Sequence, residues 1–171
     1  LIGDVTGNGD KVFKITVKNS ADKYLQADKA MFGDEEVEFD VSANTAFTAA
    51  DLPIDTYTVT EKTGTGYTDI ITNYTWTEEG STTSGSETTK KDEEVTIALK
   101  NKYTENKGGL KVTKELIGDV TGNGDKVFKI TVKNSADKYL QADKATFGDE
   151  EVEFEVSANT AFTTADLPID T

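Results

Sequence analysis

Three runs of alternating apolar residues each end with a polar residue on the apolar side. The polar residues are Lys114, Glu61 and Asn101. Their apolar neighbours at a spacing of two are Leu110 and Val112 for the lysine, Tyr57 and Val59 for the glutamate, and Val95, Ile97 and Leu99 for the asparagine. For any one of them, the simpler interpretation is that the strand leaves the core there and the side chain reaches water. Three chemically complementary types together favour a joint role.

That role is the formation of an amide bond between two side chains. An apolar pocket lowers the pKa of a lysine and raises that of a glutamate, because burial disfavours both charged forms. A neutral lysine amine is a nucleophile, and a protonated carboxyl can polarise an asparagine carbonyl by hydrogen bonding. Attack of Nζ on that carbonyl with loss of ammonia gives an internal Lys–Asn isopeptide bond. Holding the groups in place supplies most of the rate.

Composition excludes several other classes of chemistry. The 171 residues include no Cys and no His, so a Ser-His-Asp or Cys-His nucleophile, the usual zinc ligand set and disulfides are all excluded. The net charge of -14 argues against nucleic acid and anionic membranes as partners. No apolar run approaches the roughly 20 residues of a membrane span. We expect no cofactor and no bound metal.

The sequence repeats itself with an offset of 115 residues. Residues 1–56 recur as 116–171, and only three of these 56 positions differ. They are Met31/Thr146, Asp40/Glu155 and Ala49/Thr164. An offset of this size indicates tandem domain-sized units rather than a short solenoid repeat. We predict a first module at 1–104 that lacks its opening strand, a linker at 105–109, and the N-terminal half of a second module at 110–171.

Apolar residues alternate with polar ones along most of the chain, which is typical of half-buried strands. Examples are the runs at 13–18, 37–41 and 57–61. Turn-forming sequences such as Gly7-Asn8-Gly9-Asp10 separate them. No stretch shows a convincing helical period. About seven short strands in one repeat predict an all-β, immunoglobulin-like antiparallel β-sandwich.

Three segments resemble the signature strands of collagen-adhesin B-type (Cna B) domains, which build stalks and pilin shafts of Gram-positive surface proteins. They are Gly109–Lys114 (GLKVTK), Leu52–Glu61 (LPIDTYTVTE) and Val95–Lys102 (VTIALKNK). The resemblance implies a transthyretin-like sandwich in which Lys114, Asn101 and Glu61 take the positions of the cross-linked lysine, the cross-linked asparagine and the catalytic acid. It implies an extracellular, cell-wall-anchored structural protein whose only catalysis is a single autocatalytic turnover.

The three residues assigned to the cross-link do not fall within one module. Glu61 and Asn101 belong to the first module, whereas Lys114 opens the second. By the repeat, the lysine of the first module falls two positions before Leu1. Two hypotheses remain open: neighbouring chains complement each other's half modules by strand exchange, or Lys114 folds back onto Asn101 of its own chain. The expected partners are therefore neighbouring repeat modules or exchanged chains, together with an unidentified host ligand.

Two other segments contain residues that could form a binding site. Residues 3–10 resemble a calcium loop that includes Asp4, but Ile15 stands where a bidentate Glu is needed, so a polar turn is favoured. Tyr67, Tyr74 and Trp76 could form an aromatic platform for sugar, which would make the chain a ligand-binding adhesin module that recognises sugar or host matrix protein. Core packing of Tyr74 and Trp76 is the favoured interpretation, since they share a strand face.

Overall fold

The computed structural model describes residues 1–3 and 5–169 and divides the chain into two compact units, Leu1–Glu105 and Asn106–Thr171. All strand ladders among these residues are antiparallel, and none of the described residues is helical. The predicted all-β fold class is confirmed, and the architecture is consistent with an immunoglobulin-like β-sandwich. Among the described residues no helix could cross a membrane.

The described residues of the first unit form eight strands in two sheets. The strands are β1 Phe13–Lys18, β2 Tyr24–Leu25, β3 Phe32–Gly33, β4 Phe39–Val41, β5 Thr56–Glu61, β6 Tyr74–Thr82, β7 Ser84–Thr88 and β8 Lys100–Glu105. One sheet has the order β3-β2-β1-β5-β7, with β4 also paired to β1, and the other is the β6-β8 pair. The strand β1 is therefore central to the first sheet. Its neighbour β5 ends at Glu61, which lies opposite Ile15 of β1.

Alternation in the sequence explains how β1 and β5 bury one face. In β1, Phe13, Ile15 and Val17 are each at most 4% exposed. Their register with β5 sets Val17 opposite Val59 and Ile15 opposite Glu61. Because directly opposite residues point to the same side of a sheet, Glu61 faces the same interior as Ile15.

Two apolar clusters fill the first unit. One contains Ile15, Val17, Leu25, Phe39 and Tyr57. The other contains Val5, Phe13, Ile71 and Tyr103, with Trp76 and Leu1 packed against it. Residues from both sheets contribute, so the space between β1 and β8 is the interior of the unit.

The second unit repeats part of this arrangement. Its strands are β9 Lys107–Val112, β10 Phe128–Ile130, β11 Tyr139–Leu140, β12 Phe147–Gly148, β13 Phe154–Val156 and β14 Phe162–Pro168. The pairs β10-β13 and β11-β12 correspond to β1-β4 and β2-β3 of the first unit. The pair β9-β14 is additional, with Phe162 opposite Val112 and Thr164 opposite Leu110.

Two details differ from the sequence predictions. The linker expected at 105–109 is reduced to Asn106 between β8 and β9, because Glu105 ends β8 and Lys107 and Gly108 pair with β14. The strand predicted to run from Val95 begins only at Lys100. Val95, Ile97 and Leu99 still alternate as half-buried residues with exposed neighbours. The stretch is thus extended with one apolar face inward, but no strand pairs with it in the described part of the chain.

Candidate functional site

Glu61 is the last residue of β5 and its side chain is buried, with 4% of the residue exposed. Its backbone N–H donates to the carbonyl of Thr83 at 2.7 Å, which fixes the end of the strand. Burial raises the pKa of the Glu61 carboxyl above its ordinary value. The hydrogen bond from Asn101 acts in the opposite direction on the pKa. The carboxyl therefore holds a proton at higher pH than an exposed glutamate does.

Asn101 lies in β8 on the opposite sheet and is 5% exposed. Its Nδ2 donates a hydrogen bond of 2.7 Å to Oε1 of Glu61. The sequence placed these two side chains on inward faces of separate strands, and the structure brings them into direct contact. The bond connects the two sheets through the interior of the unit.

Trp76 completes the contacts of this amide. The indole Nε1 donates to Oδ1 of Asn101 at 2.8 Å, so the amide oxygen contacts a half-buried indole while the amide nitrogen contacts the buried carboxyl. Trp76 lies in β6 opposite Tyr103 of β8, which puts the indole beside the site. The sequence pattern placed Trp76 in the core or in a sugar platform and gave no connection to Asn101. The available signal was the indole N–H, which needs a partner when buried.

The first two residues of the chain run alongside β8. The N–H of Ile2 donates to the carbonyl of Asn101 at 2.8 Å, and the N–H of Tyr103 donates to the carbonyl of Ile2 at 3.0 Å. This bridge, between Ile2 and Lys102, is parallel. Gly3 permits the approach, since a Cβ there would lie 2.4 Å from the carbonyl oxygen of Tyr103. In this register Leu1 is opposite Asn101 and faces the same interior.

Lys114 belongs to the second unit and follows directly after β9. Its Nζ lies 4.8 Å from the centre of the Phe128 ring, in the geometry of a cation–π contact. The structure thus assembles two of the three predicted residues, Glu61 and Asn101, together with Trp76, and places the third in the other unit.

A groove of about 800 Å³ opens beside the Glu61–Asn101 pair in the first unit. Leu1, Phe47, Leu52, Ile97, Glu61 and Asn101 are among the residues that line it. Its lining combines apolar side chains with the buried carboxyl and amide.

The described residues of the aromatic platform and of the calcium-like loop do not form a comparable buried cluster of polar contacts. Tyr74 and Trp76 pack against the second apolar cluster, as favoured by the sequence, while the Tyr67 hydroxyl donates to Oε1 of Glu38 at 3.1 Å. Asp4 of the calcium-like loop lies outside the described residues. Elsewhere in the described ranges, no group of three or more acidic side chains is arranged to hold a metal ion.

Fold and site together define an all-β protein whose first unit holds a buried carboxyl and amide across its two sheets, with a half-buried indole beside them. The chain belongs to the family described as Domain of unknown function (DUF5979), whose model matches residues 2–104. The matched segment contains Glu61, Trp76 and Asn101. No curated protein and no solved structure matches the chain.

Proposed function

We propose that this chain is a structural repeat of a bacterial cell-surface adhesin or pilus-like stalk, in which a Lys–Asn isopeptide bond formed with the help of Glu61 ties the module together. The observation that carries the proposal is the buried hydrogen bond between Asn101 and Glu61. Burial of a carboxyl is unfavourable unless it is paired, so an acid retained against an amide indicates a chemical use for the pair.

The cluster supports a division of roles in the reaction. A neutral lysine Nζ attacks Cγ of Asn101, a new C–N bond forms, and the bond from Cγ to Nδ2 breaks. Glu61 accepts a proton from Nζ and delivers one to Nδ2, which already points at its Oε1, so that ammonia leaves. The Trp76 N–H is directed at Oδ1, where negative charge develops in the tetrahedral intermediate.

The position of Leu1 indicates how a lysine would reach the pair. In the second copy of the repeat, Lys114 precedes Leu116 by two residues. A lysine two residues before Leu1, in a strand continuing the parallel register with β8, would share the inward face of Leu1 and Asn101. Diagonal neighbours in a sheet are about 7–8 Å apart, which is within reach of a lysine side chain.

A bond between the first and last strands of a module suits a load-bearing role. Such a cross-link closes a loop of about 100 residues and restricts the unfolded chain by about 4–5 kcal/mol on the chain-entropy treatment of cross-links. The absence of Cys leaves disulfides unavailable for the same purpose. The net charge of -14 favours solubility of a repetitive β-protein. Cell-surface location and the stalk role follow from the resemblance to Cna B domains.

The test is the intact mass of a 115-residue chain in which the sequence of residues 109–115 is joined to the front of residues 1–108. We expect the folded protein to be lighter than its sequence by one ammonia. Glu61→Ala and replacement of the added lysine by Ala should each restore the full mass. A folded wild-type sequence of full mass would refute the proposed cross-link.

A further inference from the structure

The turn that leads into β1 contains an Asn-Gly pair, Asn8-Gly9, and the turn before β10 repeats it as Asn123-Gly124. Such a pair can react within the chain. The glycine backbone nitrogen attacks Cγ of the asparagine, the bond from Cγ to Nδ2 breaks, and Nδ2 leaves as ammonia with the proton of the glycine N–H. Water then opens the resulting succinimide ring to aspartate or isoaspartate. Glycine favours the attack because it has no Cβ to hinder the approach.

A second asparagine packs directly on this glycine in both units. Asn44 lies so close that a Cβ added to Gly9 would be 2.5 Å from its Oδ1, and a Cβ on Gly124 would be 2.7 Å from Nδ2 of Asn159. A larger residue at either glycine position would push this asparagine out of place. The packing therefore needs the same glycine that makes the preceding asparagine reactive. We call Asn44 and Asn159 the clamp asparagines.

Each clamp asparagine also holds its turn by two hydrogen bonds. The backbone N–H of Asn44 donates to the carbonyl of Gly9 at 3.1 Å, and its Nδ2 donates to Oδ1 of Asp10 at 2.8 Å. In the second unit Asn159 makes the same two bonds to the counterpart residues, at 3.2 Å and 2.7 Å. The clamp thus fixes both the glycine that would attack and the residue after it.

The reactive asparagine is fixed on its own side of the turn. Asn8 donates its backbone N–H to the carbonyl of Val5 and accepts at its carbonyl from Lys11, both at 3.1 Å. Its Nδ2 points back to the carbonyl of Thr6 at 3.5 Å. The second unit repeats these three bonds at 3.0, 3.1 and 3.4 Å. Ring closure needs a backbone rotation at Asn8 that brings the Gly9 nitrogen into near-attack geometry on Cγ, and these bonds oppose that rotation.

The clamp lies at one end of the β1-β4 pair, where Phe13 is opposite Val41, and its copy lies at the same end of the β10-β13 pair. Asn44 and Asp10 are both exposed. Exposed hydrogen bonds at the end of a sheet open more readily than the core does. The turn can therefore be released, and reached by water, while the packed strands stay folded.

We propose that Asn8 and Asn123 are sites of self-modification, which deamidate when Asn44 and Asn159, respectively, release the turn. The clamp asparagines are thus positioning residues that hold the reaction off. Either product places a new carboxylate near the acidic residue that follows the glycine, and isoaspartate also lengthens the main chain by one carbon. Both changes oppose closure of the clamp, so a turn that has opened stays covalently marked. The inference is independent of the proposed cross-link, whose residues take no part in it.

Peptide mapping of the full chain measures the two sites separately. Cleavage after lysine releases the first turn as residues 1–11 and the second as residues 115–126, which differ in mass because only the second contains Glu115. A succinimide leaves its peptide separate, whereas the proposed cross-link would join two peptides, so the two losses of ammonia are distinguished. Mildly alkaline buffer is used, since deprotonation of the glycine N–H promotes the attack.

The two copies serve as matched controls for each other. Asn44→Ala should raise the deamidation rate of Asn8 about tenfold, because the open turn becomes more frequent when one hydrogen bond and the packing on the glycine are lost. The rate at Asn123 should not change in this variant. Asn159→Ala should give the reverse pattern. The wild-type chain unfolded in urea should deamidate at both sites about tenfold faster than the folded chain, or more.

Asn19, which is followed by Ser20, reports on unfolding of the first unit as a whole. It lies at the other end of β1, and its Oδ1 accepts from the N–H groups of Ala21 and Lys23 at 3.1 and 3.0 Å. Acceleration at Asn8 without acceleration at Asn19 supports the clamp. An unchanged rate at Asn8 in Asn44→Ala, equal acceleration at both asparagines, or equal rates in the folded and unfolded wild type would overturn the proposal.

Discussion

The indole N–H of Trp76 donates to the side-chain oxygen of Asn101 at 2.8 Å, while the nitrogen of the same amide is bound to Glu61. An asparagine held at both ends has a fixed orientation, with its carbonyl polarised from one side and its leaving group facing a carboxyl on the other. Trp76 acts on the amide oxygen and Glu61 on the amide nitrogen, so substitutions at the two residues should have different effects.

Trp76→Phe keeps an aromatic ring in the second cluster but removes the donor to Oδ1. In the 115-residue chain described above, we expect the rate of ammonia loss to fall by about 100-fold, because one donor at the developing charge is lost. The rate is measured by mass spectrometry during refolding. Tyr74→Phe, which leaves the indole in place, is the control. An unchanged rate with Trp76→Phe would exclude the indole from the reaction.

Glu61→Gln should alter how stability depends on pH. The folded pKa of Glu61 lies above its ordinary value of 4.5, so the folded chain binds this proton more readily than the unfolded chain. The stability contributed by the protonated carboxyl is complete below 4.5 and is lost as pH rises through the folded pKa. Relative to Glu61→Gln, the wild type should therefore lose free energy of unfolding over that range.

Urea unfolding at a series of pH values measures this difference. Asp28 and Asp55, whose pKa values are lowered by hydrogen bonds, contribute a trend of opposite sign that is common to both proteins and cancels. Parallel curves for wild type and Glu61→Gln would contradict the raised pKa.

Phe162→Ala and Phe47→Ala compare the same residue with and without a covering strand. Each ring packs on another phenylalanine, Phe154 at 4.7 Å and Phe39 at 4.8 Å between ring centres. We expect Phe162→Ala to cost about 3–5 kcal/mol and Phe47→Ala about 1–2 kcal/mol, because only Phe162 is also buried by β9. Hydrogen exchange of the strands in each unit reads the two losses separately. Equal costs would show that β9 adds nothing to the burial of Phe162.

Tyr103→Phe tests a buried hydrogen bond beside the site. The hydroxyl donates to the carbonyl of Thr68 at 2.8 Å, and burial raises the pKa of Tyr103 to about 12. Removing the hydroxyl should destabilise the first unit by about 1–2 kcal/mol, since the buried carbonyl of Thr68 loses its partner. The variant should also lack the last tyrosine to ionise in an ultraviolet titration. Tyr67→Phe, which removes an exposed hydroxyl, should change the free energy of unfolding by less than about 0.5 kcal/mol.

The sequence was most informative where alternation and packing agree. The runs at Phe13–Lys18 and Thr56–Glu61 form strands with the predicted inward faces, and that placed Glu61 correctly in the interior. Asn101 was also placed inward, from the alternation of Val95, Ile97 and Leu99 before it, and in the structure it is buried in β8. A period-two pattern shows which face of a single strand is buried, and this was sufficient to predict that Glu61 and Asn101 face inward.

The pairing of strands with one another could not be predicted from single segments of the sequence. Residues 95–99 keep their alternation but have no ladder among the described residues, and residues 47–53 lack the strand that Phe162–Pro168 form. A strand exists only with a partner, and the partner is set by distant residues. The contact of Trp76 with Asn101 belongs to the same class, because 25 residues separate the two along the chain.

The pairing of β14 with β9 has a consequence for how an array of such repeats is made. The strand that completes a module precedes the rest of that module in the chain, so it leaves the ribosome first. Each newly synthesised edge then finds its covering strand already present, and a long array of near-identical units can fold in the order of translation. An edge that waited for a later strand would instead be exposed to its many near-copies, with misassembly between neighbours as the result.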